Sequence, residues 1–321
     1  MNEKRKILIA YDGSSCADAA LDDLRQAGLA REAEALIVSV AETWLPPPPP
    51  SSYEIVEEAR EVHVPADLKK VYAKESPAVE EAQALALRAG RRVQSMFPEW
   101  EIRTEALYGS PARELITKAD EWKPDLIIVG SHGRSPFDRL VLGSVSQKVV
   151  TEAHCSVRVA RGRVEEPGTP VRIIIGVDGS HGSEAAVREV ASRVWPMDSE
   201  VRVIIVEDPL TPTIVGRLMP PVAKWIEESN REDRAWVHRI AENALNVLRA
   251  VRLNASFSIV EGDPKRVLIE AAEEWGADCI FVGSTGYDSR LARFMLGSVS
   301  TAVVARAHCS VEVVRRERAS L

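Results

Sequence analysis

Segments of the first half of this chain return in the second half, in the same order. LIIVGSHG at Leu126–Gly133 is answered by CIFVGSTG at Cys279–Gly286. LGSVS at Leu142–Ser146 returns at Leu296–Ser300, and AHCSV at Ala153–Val157 returns at Ala307–Val311. ILIAYDGSS, Ile7–Ser15, has IIIGVDGSH, Ile173–His181, as its counterpart, and EWKPD before one strand matches EWGAD before the other. Copies about 150 residues apart exceed the repeat length of any solenoid and equal the length of one domain. The chain therefore reads as a duplicated domain, 1–163 and 170–315. The boundary falls in the polar, Pro- and Gly-containing stretch Arg161–Pro170.

Each copy alternates strand and helix patterns. In the first, strands are expected at Lys6–Ala10, Ala35–Val40, Glu101–Leu107, Leu126–Val129 and Ser156–Ala160. Helices are expected at Ser14–Ala27, Pro77–Met96, Pro111–Trp122 and Ser144–Ala153. The second copy predicts strands at Arg172–Val177, Val201–Val206, Ala255–Val260, Cys279–Val282 and Ser310–Val314, with helices at Ser183–Val194, Arg234–Ala250, Pro264–Trp275 and Ser298–Ala307. Ser110-Pro111 and Asp263-Pro264 each read as a capping side chain followed by proline at the first helical position. Short, wholly apolar strands separated by helices indicate a parallel sheet covered on both faces. The fold class is α/β: two tandem doubly wound domains, each a five-stranded parallel sheet flanked by helices. Ligands of such sheets bind beyond the strand carboxyl ends, where strand order reverses. The proline run Pro46–Pro50 reads as an exposed loop.

Charge and cysteine usage narrow the partners. The net charge of −7 argues against a general nucleic-acid binder. No apolar run reaches the roughly 18 residues of a membrane span, and the N-terminus lacks a signal-peptide core. Cys16, Cys155, Cys279 and Cys309 form no CxxC pair or metal cluster, so a cytoplasmic location is expected.

The chemistry concentrates after strand four. Gly130-Ser131-His132-Gly133 is followed by nine residues and then by Gly143-Ser144-Val145-Ser146 opening a helix. The first bend lets backbone approach a bulky ligand, and the second offers unpaired N–H groups at an anion-attracting helix N-terminus. Together they describe a cradle for nucleotide phosphates. Asp12 and Asp178 follow the first strand of each copy; each reads either as a turn residue or as a contact to a base or ribose. Val40 and Val206, ending the second strands, offer apolar contact to a base. His132 reads as loop filler or a phosphate contact, and its counterpart is Thr285. His154 and His308 sit at helix C-termini and read as structural, as do Cys155 and Cys309 beside them. Arg139 and Arg293 occupy matching places between the glycine bends. His63, His181 and His238 show no sequence partners. The P-loop and the GxGxxG fingerprint are both absent.

These residues resemble the universal stress protein family: an aspartate after strand one, G-2x-G-9x-G-[S/T] before a helix, and a final HC-type strand. The resemblance implies an adenine nucleotide alpha hydrolase-like fold. For the ATP-binding branch it implies a first site of Tyr11, Asp12, Val40, Gly130, His132, Gly133, Gly143, Ser144, Val145 and Ser146. The second site would be Val177, Asp178, Val206, Gly283, Thr285, Gly286, Gly297, Ser298, Val299 and Ser300. Its implied cofactor is ATP, with or without Mg2+. It implies that the two last strands meet as an intramolecular pseudo-dimer, with further homodimerisation open, and it implies neither a nucleic-acid nor a membrane partner. Two departures stand out. Ten residues, Tyr287–Leu296, separate Gly286 from Gly297 where the pattern has nine, and Ser156 and Ser310 replace a frequent proline. With no nucleophile or base evident, the expected function is a non-catalytic ATP-binding regulatory module of the stress response. The alternatives are a slow metal-dependent ATP hydrolase, drawing on His132 or Asp138, and a nucleotide-free scaffold. No catalytic or metal-ligating residue is assigned.

Overall fold

The structure is a computed structural model and describes residues 4–42, 77–133, 142–161, 166, 168–207, 220–284 and 296–315, with 220–234 as backbone alone. The sequence readings at Pro46–Pro50, His63, Asp138, Arg139, Thr285, Gly286 and Arg293 lie outside these residues.

In the first copy, strands β1 (Arg5–Ala10), β2 (Ala33–Ala41), β3 (Glu101–Tyr108), β4 (Leu126–Gly130) and β5 (Ser156–Ala160) alternate with helices α1 (Ser15–Asp23), α2 (Pro77–Met96), α3 (Pro111–Trp122) and α4 (Ser144–Glu152). The second copy supplies strands β6 (Arg172–Gly176), β7 (Glu200–Glu207), β8 (Asn254–Glu261), β9 (Cys279–Gly283) and β10 (Ser310–Val314). Its helices are α5 (His181–Ala191), α6 (Pro220–Ala250), α7 (Pro264–Trp275) and α8 (Ser298–Arg306). The alternating architecture is as the sequence indicates. The two five-stranded sheets join through their last strands, as the family resemblance implies, into one of ten strands in the order β3-β2-β1-β4-β5-β10-β9-β6-β7-β8. Within each copy the strands are parallel; the seam between β5 and β10 is antiparallel, pairing Val157 with Val313, Arg158 with Glu312 and Val159 with Val311. The strands of the second copy consequently run opposite to those of the first.

Strand alternation sorts the side chains onto two faces. On one face a single core runs across both copies. Leu8, Ile127, Val157 and Val159 join Ile174, Ile280, Val311 and Val313 beneath α3, α4, α7 and α8. On the other face two separate cores form, one under α1 and α2 around Ile7, Ile9 and Val93, the other under α5 and α6 around Ile173, Ile175 and Leu248. Between those two cores lies a buried polar seam.

Several helix ends differ from their sequence readings. Ser110 occupies the N-cap of α3 but makes no side-chain cap bond, whereas the Asp263 carboxylate accepts from the Lys265 N–H at 3.1 Å. Helix α1 stops at Asp23 and tightens into a 3-10 turn, Leu24–Gln26, ahead of Gly28 at φ +63°. α6 spans Pro220–Ala250, starting fourteen positions before the expected Arg234, with a proline at its first position, where the missing N–H costs no hydrogen bond.

Candidate nucleotide cleft

A cleft of about 720 Å³ opens at the carboxyl ends of β1, β2 and β4. This is the point where strand order reverses between β1 and β4. Its lining includes all ten residues of the expected first site, from Tyr11, Asp12 and Val40 to both glycine bends and Ser144–Ser146. The volume falls within the roughly 300–1,000 Å³ of small-molecule sites.

The two bends are tied to each other. The Gly143 N–H donates to the Ser131 carbonyl at 2.8 Å, and the Ser146 hydroxyl donates to the Gly130 carbonyl at 2.6 Å. Glycine is required by close approach: a Cβ at 143 would lie 3.2 Å from the His132 Cα, and one at 130 would lie 3.0 Å from the Cys16 backbone. Gly143 is also the N-cap of α4 and supplies no capping side chain. The first amides of α4 therefore face the cleft with the positive end of the helix dipole behind them. By contrast, the start of α1 is closed by Ser14, whose hydroxyl accepts from the Ala17 N–H at 3.1 Å.

The opposite wall is acidic and apolar. Asp12 Oδ1 accepts the Ser14 N–H at 2.9 Å, so the turn reading of Asp12 holds. The same side chain lines the cleft, and its Oδ2 is 3.0 Å from where a Cβ of Gly133 would be. Tyr11 is 3% exposed; its hydroxyl donates to Asp18 at 2.7 Å and accepts from Arg88 at 2.8 Å. Its burial raises the phenol's pKa; the Arg88 bond opposes this and Asp18 reinforces it. Sequence reasoning missed further lining residues, among them Glu42, Ala78, Glu81, Ala82, Leu85 and Leu115. Ala78, Ala82 and Leu85 share one face of α2 at helical spacing, a signal that was present but indistinguishable from ordinary core.

His132 Nδ1 sits 3.1 Å from the Ser131 hydroxyl. Its Nε2 is buried and has no hydrogen-bond partner among the described residues. Burial, reinforced by the Arg161 guanidinium, holds the ring below its ordinary pKa and so neutral near pH 7. The thiols of Cys155 and Cys309 are pushed up to about 12 by burial, and that of Cys279 is also raised. These are protonated, inert side chains. His154 and His308 lie 3.8 and 3.9 Å from Asp120 and Glu273, across equivalent helix pairs, as their structural reading requires. Among the described residues no group of three or more His, Cys, Asp or Glu is arranged to hold a metal ion.

The second copy repeats the joint. The Gly297 N–H donates to Ser284 at 2.7 Å, and the Ser300 hydroxyl donates to the Gly283 carbonyl at 2.6 Å. Gly297 is again the N-cap, with Ser298 and Val299 in the first turn of α8. Asp178 caps its turn through the Ser180 N–H at 3.0 Å. Val177 and Val206 occupy the places of Tyr11 and Val40 at the ends of β6 and β7. The walls differ. In the first copy Leu85 packs against the glycine of the Asp-Gly turn; in the second, Trp236 and Ile240 do, with Trp236 Cζ2 2.9 Å from a Cβ built on Gly179. A bulkier group thus stands on the second turn.

The sequence model described as the universal stress protein family matches this chain twice, over residues 4–161 and 171–315. A universal stress protein of Methanocaldococcus jannaschii is 32% identical over 167 residues, covering 50% of this chain and 84% of that protein. One from Mycobacterium bovis is 26% identical over 338 residues, covering 98% of this chain and all of that protein. Among solved structures, a universal stress protein from Archaeoglobus fulgidus superposes with a TM-score of 0.64 at 20% identity, covering 97% of this chain and 98% of that one. Among the described residues no helix is long and apolar enough to cross a membrane.

Proposed function

This chain belongs to the universal stress protein family as a tandem member, and from that premise we propose that its first copy binds ATP and acts as a non-catalytic regulatory module in the cytoplasm. One observation carries the reading: the cleft of about 720 Å³ has uncapped helix amides at one end and carboxylates with apolar walls at the other. The amide end suits the phosphates, because backbone N–H groups and the dipole of α4 favour anions without a cationic side chain. Among the described lining residues there is indeed no Lys or Arg. Asp12 and Glu81 suit the hydroxyls and amino group of an adenosine, as acceptors, with Val40 and Leu85 against the base. His132, neutral near pH 7, lines the cleft at the glycine bend without placing a positive charge there.

Mg2+ would arrive on the phosphates and take its remaining ligands largely from water. The second copy keeps the amide end, but Trp236 and Ile240 stand over its turn, so the first copy is the stronger binder. Among the described lining residues the one imidazole, His132, is held in the glycine bend beside Ser131. This favours a binding module over a hydrolase.

The test is isothermal titration of the full chain with ATP and Mg2+, wild type against Gly143→Val. A valine side chain at 143 meets the His132 Cα and the Ser131 carbonyl, and should weaken binding at least tenfold while Gly297→Val has a smaller effect. Equal affinity of the wild type and Gly143→Val in folded protein overturns the site.

A further inference from the structure

The seam between the copies is an interaction surface, and its chemistry selects a partner. Arg158 and Glu312 occupy equivalent positions of the repeat, in SVRVA and SVEVV. They are also the residues that face one another across the antiparallel β5–β10 pair. Each therefore sits on the pseudo-twofold axis opposite its own counterpart. Both are 0% exposed, and their head groups are 3.5 Å apart.

Each is supported from its own copy. Asp23 accepts two bonds from Arg158, at 2.6 and 3.0 Å; Arg193 pairs with Glu312. Glu189 then receives Arg193 at 2.8 Å and Arg5 from across the seam. Further bonds cross it: the Ser310 hydroxyl donates to Asp23 at 2.6 Å, and Arg193 donates to the Ala27 carbonyl at 2.6 Å. The first copy thus brings two guanidiniums (Arg5, Arg158) and one carboxylate (Asp23). The second brings one guanidinium (Arg193) and two carboxylates (Glu189, Glu312). Together they are neutral.

Pairing two like copies would leave an excess of two charges of one sign in this seam, with Arg158 against Arg158 or Glu312 against Glu312. Uncompensated buried charge is costly, more so than the gain from a buried pair. Other contacts at the seam do not discriminate. Arg161 reaches the Val304 carbonyl of α8 and Arg315 the Val150 carbonyl of α4, the same contact made twice with the same residue type. A last strand is an edge that could pair with any similar edge, so specificity has to come from repulsion in the wrong pair. We infer that the Arg158–Glu312 cluster codes this seam to join unlike copies, so that β5 accepts β10 and rejects a second β5.

The experiment uses the full chain carrying Arg158→Glu, Glu312→Arg, or both. Each single reversal leaves the cluster with two excess charges and is expected to lower the melting temperature by about 10 °C. The double reversal restores net neutrality and the attraction between positions 158 and 312, while leaving a like charge against Asp23 and against Arg193, so it is expected to melt above the worse single reversal but below the wild type. Should the single variants fail to fold alone, refolding them together is expected to yield a 1:1 complex by native mass spectrometry, each chain supplying the charge the other lacks. Single variants that melt like the wild type overturn the inference. A double reversal as unstable as the worse single, with no 1:1 complex on co-refolding, overturns it as well.

Discussion

A buried imidazole nitrogen without a hydrogen-bond partner among the described residues makes His132 a source of acid sensitivity. Its folded pKa is held below the ordinary 6.5 by burial and Arg161. The unfolded chain therefore takes up the proton first as pH falls. The neutral ring's contribution to stability is fully present above about pH 6.5 and is lost as pH drops through the depressed folded value. His132→Thr, the residue that the repeat places at 285, should remove this dependence. Thermal melts between about pH 7.5 and 5.5 should show a steeper decline for the wild type than for the variant; parallel slopes would refute it. The glycine bends and Asp12 were legible in the sequence because few residue types permit such close backbone approach or such a turn, and the pattern returns in the second copy with one residue more between the bends. The acid at Glu81 was not legible, because a carboxylate on a helix gives no sign of which surface it faces.

At the scale of elements, the joint between β4 and α4 is built in the same way as the joint between β9 and α8. Ser146 fastens the first turn of α4 to the Gly130 carbonyl, and Ser300 does the same for α8 and Gly283. Both serines are buried. Replacing either with alanine leaves a carbonyl without its donor and should cost about 1–2 kcal/mol, measured by urea denaturation. The two joints are in different copies and share no partner, so the double variant should cost the sum. A loss in one copy only would show that the repeat is not mechanically equivalent. Strands and most helices could be read from period and punctuation, but their ends could not. Whether Ser110 or Asp263 closes its helix depends on side-chain rotation, and where α1 tightens depends on the chain reversal at Gly28 and on Asp23 turning inward to Arg158.

At the scale of the whole molecule, one apolar core runs under α3, α4, α7 and α8 through both copies. Neither copy can lose its packing there without exposing the other. We expect differential scanning calorimetry to give a single endotherm with equal calorimetric and van't Hoff enthalpies; two resolved transitions would show independently stable copies. The duplication and the meeting of the last strands were readable from the repeat and the family resemblance. The charge cluster was not. Asp23, Arg158, Arg193 and Glu312 are scattered along the chain, and a buried ion pair looks in sequence like any exposed charge. The antiparallel seam also has a geometric outcome. Strands of the two copies point in opposing directions, so their phosphate-favouring helix starts lie at far rims of one continuous sheet. A change at one rim can reach the other only through the ten strands that separate them.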